Sequence, residues 1–331
     1  MLDKGRNSPS LVINISVVMS VHNGAQYLRE AVESILNQTF TDFEFIIIND
    51  GSTDRTREIL ESYCDERIIL IHQNNSGLTK ALNIGIARAR GRYIARQDSD
   101  DVSESDRLHN QIEYLRAHPE TAVLGTAVTF IGPAGQTLGI SRHPLDHDAI
   151  TRELKVRNCF WHGSIMFLKS AFDAVGGYSE IFTATQDYDL WLRLSERHRV
   201  ANLPIPLYRY RFNPNAVTFR RLVTQKKLAD LARRLAEARL AGEDGSAIIA
   251  NIMKSHASLT RKEKAELFSA YMGWVHILHR HALFDEAYAL IGKILRYHPS
   301  ILFRLCYGMI RPFRRAWSVE KLVTASQLPA G

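Results

Sequence analysis

The sequence predicts an α/β fold: a mixed, mostly parallel sheet flanked by helices, followed by an all-helical C-terminal region. Three observations carry this. Over the first hundred residues, short β-branched runs alternate with segments whose apolar residues recur at helical spacing. Those runs are apolar on both faces, as strands covered by helices on either side must be. From about Arg220 onward only helical spacing remains.

Residues 1–12 form a polar tail, and 13–19 (INISVVM) read as the first strand. After the turn residues Ser20 to Gly24, Leu28, Val32, Ile35 and Leu36 mark a helix over 25–37. Strand 43–48 leads into Asn49-Asp50-Gly51-Ser52, where Ser52 or Thr53 is placed to cap a helix reaching about Tyr63. Residues 68–71 are a third strand, 74–77 a turn and 78–89 a helix. Gly91 introduces a fourth strand at 93–97, and Asp98-Ser99-Asp100-Asp101 follows it directly. Val102-Ser103-Glu104-Ser105 reads as the start of the next helix, over about 105–117, which ends before Pro119. Residues 123–130 and 136–141 flank Gly132-Pro133-Ala134-Gly135 as a hairpin. Strand 165–168 follows, then a short helix ending at Gly176-Gly177. Gln186-Asp187-Tyr188-Asp189 opens a helix to His198, and 200–210 is extended, with Pro204 and Pro206 marking an edge.

The C-terminal region carries three apolar stripes: Leu228, Leu231, Leu235 and Ala238; Leu267, Tyr271, Trp274 and Leu278; Phe284, Ala287, Ile291 and Ile294. The last two form a helical hairpin about His281-Ala282. Residues 301–310 are apolar nearly all round and are followed by Arg311, Arg314 and Arg315. Such a segment either lies at a membrane interface with its basic side toward anionic lipid, or is a buried or partner-docking helix. Too short to span, it makes peripheral contact with the inner face of the cytoplasmic membrane the membrane reading.

The chain's 331 residues accommodate a large domain at 13–215 and a helical region at 216–331. Its 45% hydrophobic and 23% charged residues are those of a globular protein, not a disordered one. Cys64, Cys159 and Cys306 lie far apart without metal-ligand spacing, which points to a reducing compartment. The N-terminus has no signal-peptide pattern and no stretch has transmembrane length, so the cytoplasm is expected. The net charge of +7 lacks any aromatic-and-basic or zinc-finger signature beside it, which argues against nucleic acid and leaves polyanionic substrates or lipid.

In parallel sheets of this kind ligands bind beyond the carboxyl ends of the strands. That rule brings the turns at 20–24, 49–54, 74–80 and 98–101 to one crevice. Three carboxylates in four residues there suit a hard divalent ion bridging to phosphates. Alone, the run reads as well as an acidic turn at a helix N-terminus. His143, Asp146, His147 and Asp148 in a loop, and His276, His279 and His281 beside a helix, read as surface residues, because a metal site needs convergent ligands.

Residues 16–23 (SVVMSVHN), 48–54 (INDGSTD), the acidic run at 98–101 and Asp187 before an amphipathic helix occur in that order. Together they resemble glycosyltransferase family 2, over about residues 13–215. The resemblance implies a GT-A fold, a Rossmann-like mixed sheet, and transfer of a sugar with inversion from a nucleotide diphosphate donor, here a UDP-sugar. The acceptor it implies is a glycan or lipid-linked hydroxyl in surface polysaccharide or glycoconjugate biosynthesis. Mn²⁺ or Mg²⁺ is the implied cofactor.

Carried onto this chain, the resemblance gives Asp187 the role of catalytic base, with Asp189 as the alternative and a plain helix N-cap as the structural reading. Asp50 would accept from a uracil-type N–H beside Ser20 and Asn23, and Lys80 would offset the diphosphate. Asp100 contacts metal, Asp98 the ribose or the metal and its waters, Ser99 lies between them, and Asp101 turns toward the helix N-terminus. Trp161, His162, Gln186 and Trp191 are acceptor or donor contacts. Two departures from the family pattern stand out. Gln186-Asp187 replaces Glu-Asp, and Asn213 stands where a histidine commonly follows the Tyr-Arg pair. A sugar nucleotidyltransferase would need a glycine-rich phosphate loop that residues 20–24 do not form, and a dehydrogenase would need G-x-G-x-x-G. A non-catalytic nucleotide-sugar-binding scaffold is the remaining alternative.

Overall fold

The computed structural model describes residues 14–213, 222–254 and 261–297. The segment 301–315, on which the membrane expectation rests, lies outside them. The first half alternates as the apolar pattern requires: β1 (Ile15–Val21), α1 (Leu28–Leu36), β2 (Phe43–Asp50), α2 (Thr56–Glu61), β3 (Ile68–Gln73), α3 (Leu78–Arg88) and β4 (Tyr93–Asp98). The second half is mixed: β5 (Val102–Ser103), α4 (Arg107–Ala117), β6 (Thr121–Ile131), β7 (Thr137–Ser141) and α5 (His147–Leu154). A 3-10 turn (His162–Ser164) leads to β8 (Met166–Leu168), α6 (Lys169–Ala174), α7 (Gln186–Ser195) and β9 (Arg199–Arg211). Four further helices follow, α8 (Leu222–Ala241), α9 (Ser246–Lys254), α10 (Arg261–Arg280) and α11 (Phe284–Tyr297).

One sheet runs in the order β3-β2-β1-β4-β8-β6-β9-β5, with β7 paired to β6. Strands β3, β2, β1 and β4 are parallel, as are β6 and β9; β8 joins the two sets antiparallel to both neighbours. By length of pairing the sheet is mostly parallel. The two faces of β1 show why: Val18 packs on one side with Ile46, Ile48, Leu82 and Ile86, while Val17 and Met19 pack on the other with Val32, Ile35 and Leu108. Alternate residues of one apolar strand therefore feed two cores.

The C-terminal helices share those cores. Leu228, Leu231 and Ala232 of α8 are buried with Tyr188, Trp191 and Leu194 of α7. Tyr271, Trp274 and Leu278 of α10 are buried with Phe130, Trp161 and Phe212. Among the described residues no helix is long and apolar enough to cross a membrane.

Three expectations are corrected. Val102 and Ser103 do not open a helix; they pair with Arg209 and Tyr208 of β9. Ser103 Oγ also donates to Gln97 Oε1 at 2.7 Å and accepts from Arg107, so α4 starts only at Arg107. Neither Ser52 nor Thr53 caps α2; Asp54 Oδ1 accepts from Thr56 N–H instead. Nor is His143 a surface residue, since its ring packs tilted against Trp161, while Asp146 and Asp148 of the same stretch are exposed as expected and Asp146 caps α5. Burial first, then Arg157, holds the His143 ring neutral, at about 3.

Candidate active site

The four predicted turns do converge. Asn23, in a left-handed conformation after β1, accepts with Oδ1 from Thr53 N–H at 2.7 Å and donates its own N–H to Ser52 Oγ. Ala25 N–H donates to Asp54 Oδ2. Asn23 thus clamps the first turn to the second. Gly51 has φ +71°, and a Cβ there would lie 2.5 Å from Asn75 N, so only glycine lets the second turn touch the third. Gly24 lies against Ser99, which brings the first turn to the acidic one.

Asp50 is buried at the end of β2, 2% exposed, and holds the third turn in place. Its Oδ1 accepts from Ser76 N–H and Gln73 Nε2, and its Oδ2 from Gly77 N–H at 2.9 Å. A second lone pair on Oδ2 is left for a ligand. Ser20, on β1, is in register with Asp98 on β4 and Ile48 on β2. Lys80, in the first turn of α3, reaches Glu180 at 3.5 Å with both side chains exposed, rather than the acidic turn.

The acidic residues divide by partner. Asp98 Oδ1 accepts from Arg96 Nη2 at 2.5 Å, and its Oδ2 lies beside Gly163. Asp100 Oδ2 accepts from Asn213 Nδ2 at 3.3 Å, and its backbone carbonyl from Arg211 Nε. Asp101 is corrected: it does not serve the helix N-terminus but is buried, accepting Arg211 N–H at 2.7 Å. Burial, then the Asp98 charge, pushes the Asp100 carboxyl up to about 6. Among the described residues no three His, Cys, Asp or Glu side chains form a complete metal cage. Two carboxylates and an amide are nonetheless the donor set with which Mg²⁺ or Mn²⁺ is held when phosphates and water complete its shell. Part of the rise at Asp100, second to burial, comes from the Asp98 charge, which a cation between the two carboxylates would offset. The residues fit.

Asp187 stands in the first turn of α7, not at its N-cap, which is Thr185. Thr185 has φ +60°, a strained conformation for a β-branched residue and one that clusters at functional sites. Asn158 Nδ2 donates to Asp187 Oδ2 at 2.8 Å. Burial pushes Asp187 up to about 6, despite bonds from Tyr188 N–H and Asn158, with Asp98 adding to the rise. Asp189 is no alternative base, because Arg193 Nε and Nη2 grip its Oδ2 at 2.9 and 2.7 Å. Gln186 is buried beside it. Trp191 is corrected to a core residue, fully buried with Phe160 and Phe167, and it meets the site only edge-on, through the His162 ring at 6.2 Å. Trp161 is likewise buried, edge-on to Phe130. His162 is half-buried, 2.7 Å from Tyr178 Oη and 3.2 Å from Nε of Arg96, the arginine that also holds Asp98.

Sequence reasoning missed Arg96, Tyr178, Asn158 and Arg211. A signal existed for two of them. Arg96 is a charge inside an otherwise apolar strand, and Arg211 lies two residues before Asn213.

Carboxylates at the ends of parallel strands, with Asp187 near enough to Asp98 to feel its charge, are an arrangement suited to a glycosyltransferase of GT-A architecture. The glycosyl transferase family 2 model matches residues 16–176. The O-antigen biosynthesis glycosyltransferase WbnJ of Escherichia coli is 37% identical over 183 residues, 54% of this chain and 71% of that one. The amylovoran biosynthesis glycosyltransferase AmsE of Erwinia amylovora is 32% identical over 212 residues, 62% of this chain and 79% of that one. The fold is shared with S. aureus TarS residues 1–349, crystallised with UDP, at TM-score 0.56 and 17% identity over 92% of this chain and 94% of that one. The chain belongs to glycosyltransferase family 2.

Proposed function

We propose that this chain transfers a sugar from a UDP-sugar to a glycan or lipid-linked hydroxyl, inverting the anomeric carbon, in surface polysaccharide assembly on the cytoplasmic side of the membrane. One observation carries the reading: Asp187 is lifted to about 6 by burial and lies near enough to Asp98 for that charge to add to the rise. An inverting displacement needs a base on the face opposite the leaving group, and this reading gives that role to Asp187 and the leaving-group side to Asp98 and Asp100. The names of WbnJ and AmsE, both for polysaccharide assembly, and the solved complexes of TarS with UDP and UDP-GlcNAc support the substrate classes.

Asp187 takes the proton from the acceptor hydroxyl, with Asn158 orienting its carboxylate. Asp50 and the Asn23-clamped turns hold the uridine end. Asp100 and Oδ2 of Asp98, with Asn213, would hold Mn²⁺ or Mg²⁺, and Arg211 fixes the Asp100 backbone. A divalent ion there supplies Lewis-acid stabilisation of the departing diphosphate. Arg96 holds Asp98 in place.

A hydrolysis screen of nucleotide sugars with and without divalent ions tests this without knowledge of the acceptor. Slow, metal-stimulated release of UDP from one sugar nucleotide is expected. Release from no donor, or equal release with chelator, contradicts the respective part.

A further inference from the structure

Arg96 is fully buried on β4, with its guanidinium fixed from several sides. Its Nη1 donates to the carbonyls of Val18 and Gln97 at 2.7 and 2.9 Å, and its Nη2 to Asp98. A guanidinium N–H can only donate. The Arg96 Nε–H therefore makes His162 Nε2, 3.2 Å away, an acceptor, and Tyr178 Oη lies 2.7 Å from the same nitrogen. The ring is left neutral with its proton on Nδ1. Burial, then the Arg96 charge, favours the same neutral form. No hydrogen bond among the described residues uses Nδ1, and it is not among the buried polar atoms sealed without a partner.

Position then identifies the occupant. Arg96 ties His162 to Asp98, and Tyr178 on its other side lies within the electrostatic reach of both Asp187 and Asp98. The span between base and leaving group is where the transferred sugar must sit. We propose that His162, locked by Arg96 in the Nδ1–H tautomer, donates a hydrogen bond from Nδ1 to a hydroxyl of the donor sugar and so helps select that sugar. The inference rests on the UDP-sugar reading above. A site built to bond a hydroxyl discriminates against donors lacking it, because the N–H is then left unpaired.

The test has two arms on the full chain. Calorimetry compares UDP with UDP-glucose, UDP-galactose and their N-acetylated forms. His162→Ala is expected to weaken the best sugar nucleotide roughly tenfold while leaving UDP unchanged. His162→Asn, whose amide N–H stands in for Nδ1–H, is expected to recover most of that loss. Equal loss on UDP and sugar nucleotide, or no loss, overturns the proposal, with thermal unfolding confirming that each variant is folded. In the second arm, two-bond ¹H–¹⁵N spectra of the ligand-free protein are expected to show the His162 ring as the Nδ1–H tautomer. An Nε2–H ring or an imidazolium overturns the proposal whatever binds. A wild-type chain that binds none of the panel sinks the UDP-sugar reading instead, and the ring spectrum still decides the lock.

Discussion

Asn213 places its amide Nδ2 3.3 Å from Asp100 Oδ2, joining the chain just past β9 to the acidic turn. An amide offers a metal a hard oxygen, whereas an imidazole in its place would offer nitrogen and favour transition ions. UDP is expected to bind more tightly with Mn²⁺ or Mg²⁺ present. Asp100→Asn should abolish that difference, and Asn213→His should raise the Mn²⁺-dependent affinity by about tenfold or more. Titration calorimetry of UDP with each ion reads all three. No metal effect in the wild type would remove the metal role of Asp100.

Asp187→Asn should abolish transfer and leave UDP binding intact, since Asp187 touches Asn158 and not the uridine turns. The same variant should be more stable. The folded-state pKa of Asp187 is raised, so its contribution to stability is complete below the ordinary carboxylate range and is lost as pH rises through about 6. At neutral pH the ionised group costs on the order of 2–3 kcal/mol, which the neutral amide removes. Thermal unfolding at pH 7.5 should show a higher Tm for the variant than for the wild type. A lower one contradicts the burial account.

The pH–rate profile follows from the same shift. A base at about 6 predicts that kcat falls with acid well above the range of an ordinary aspartate. Asp100 is raised similarly by burial and by Asp98, so the two limbs overlap in the absence of metal. Saturating metal favours ionised Asp100 and lowers its pKa, leaving the Asp187 limb alone. A profile flat down to about pH 4.5 under saturating metal would show that Asp187 is not the base.

What the sequence disclosed, and what it did not, divides along a physical line. The strand–helix order and the convergence of the turns were legible because apolar periodicity and strand-end chemistry are local. The roles of Asp187 and Asp100 came from resemblance; the structure adds that both carboxyls are raised to about 6 and that Asp187 feels the charge of Asp98. The β5 pairing was not legible: Val102 and Ser103 have a strand partner more than a hundred residues away, and no local pattern announces it. Trp191 was misread because its helical face, polar at Asp187 and apolar at Trp191, turns into the core within a single turn. Arg96 and Tyr178 escaped because each acts through partners distant in sequence.

Trp274 supplies the last prediction, which concerns the helical region as part of the enzyme. Its ring meets Phe130 edge-on at 5.2 Å and Phe212 at 5.1 Å, and Phe130 in turn meets Trp161, the neighbour of His162. The contacts run from α10 to the crevice through packed aromatic rings. Trp274→Ala should destabilise the fold by about 3–5 kcal/mol, the range for deleting a buried large aromatic. Trp274→Phe should cost less, because it keeps most of the ring contact. Ending the chain at residue 215 should do more than either. It removes Leu228, Leu231 and Ala232 from beside Tyr188 and Trp191 on the helix that carries Asp187. Equilibrium denaturation should therefore rank the loss of stability as smallest for Trp274→Phe, larger for Trp274→Ala and largest for the chain ending at 215. A chain ending at 215 that unfolds cooperatively with full stability would make the helices an appendage, which their shared cores argue against.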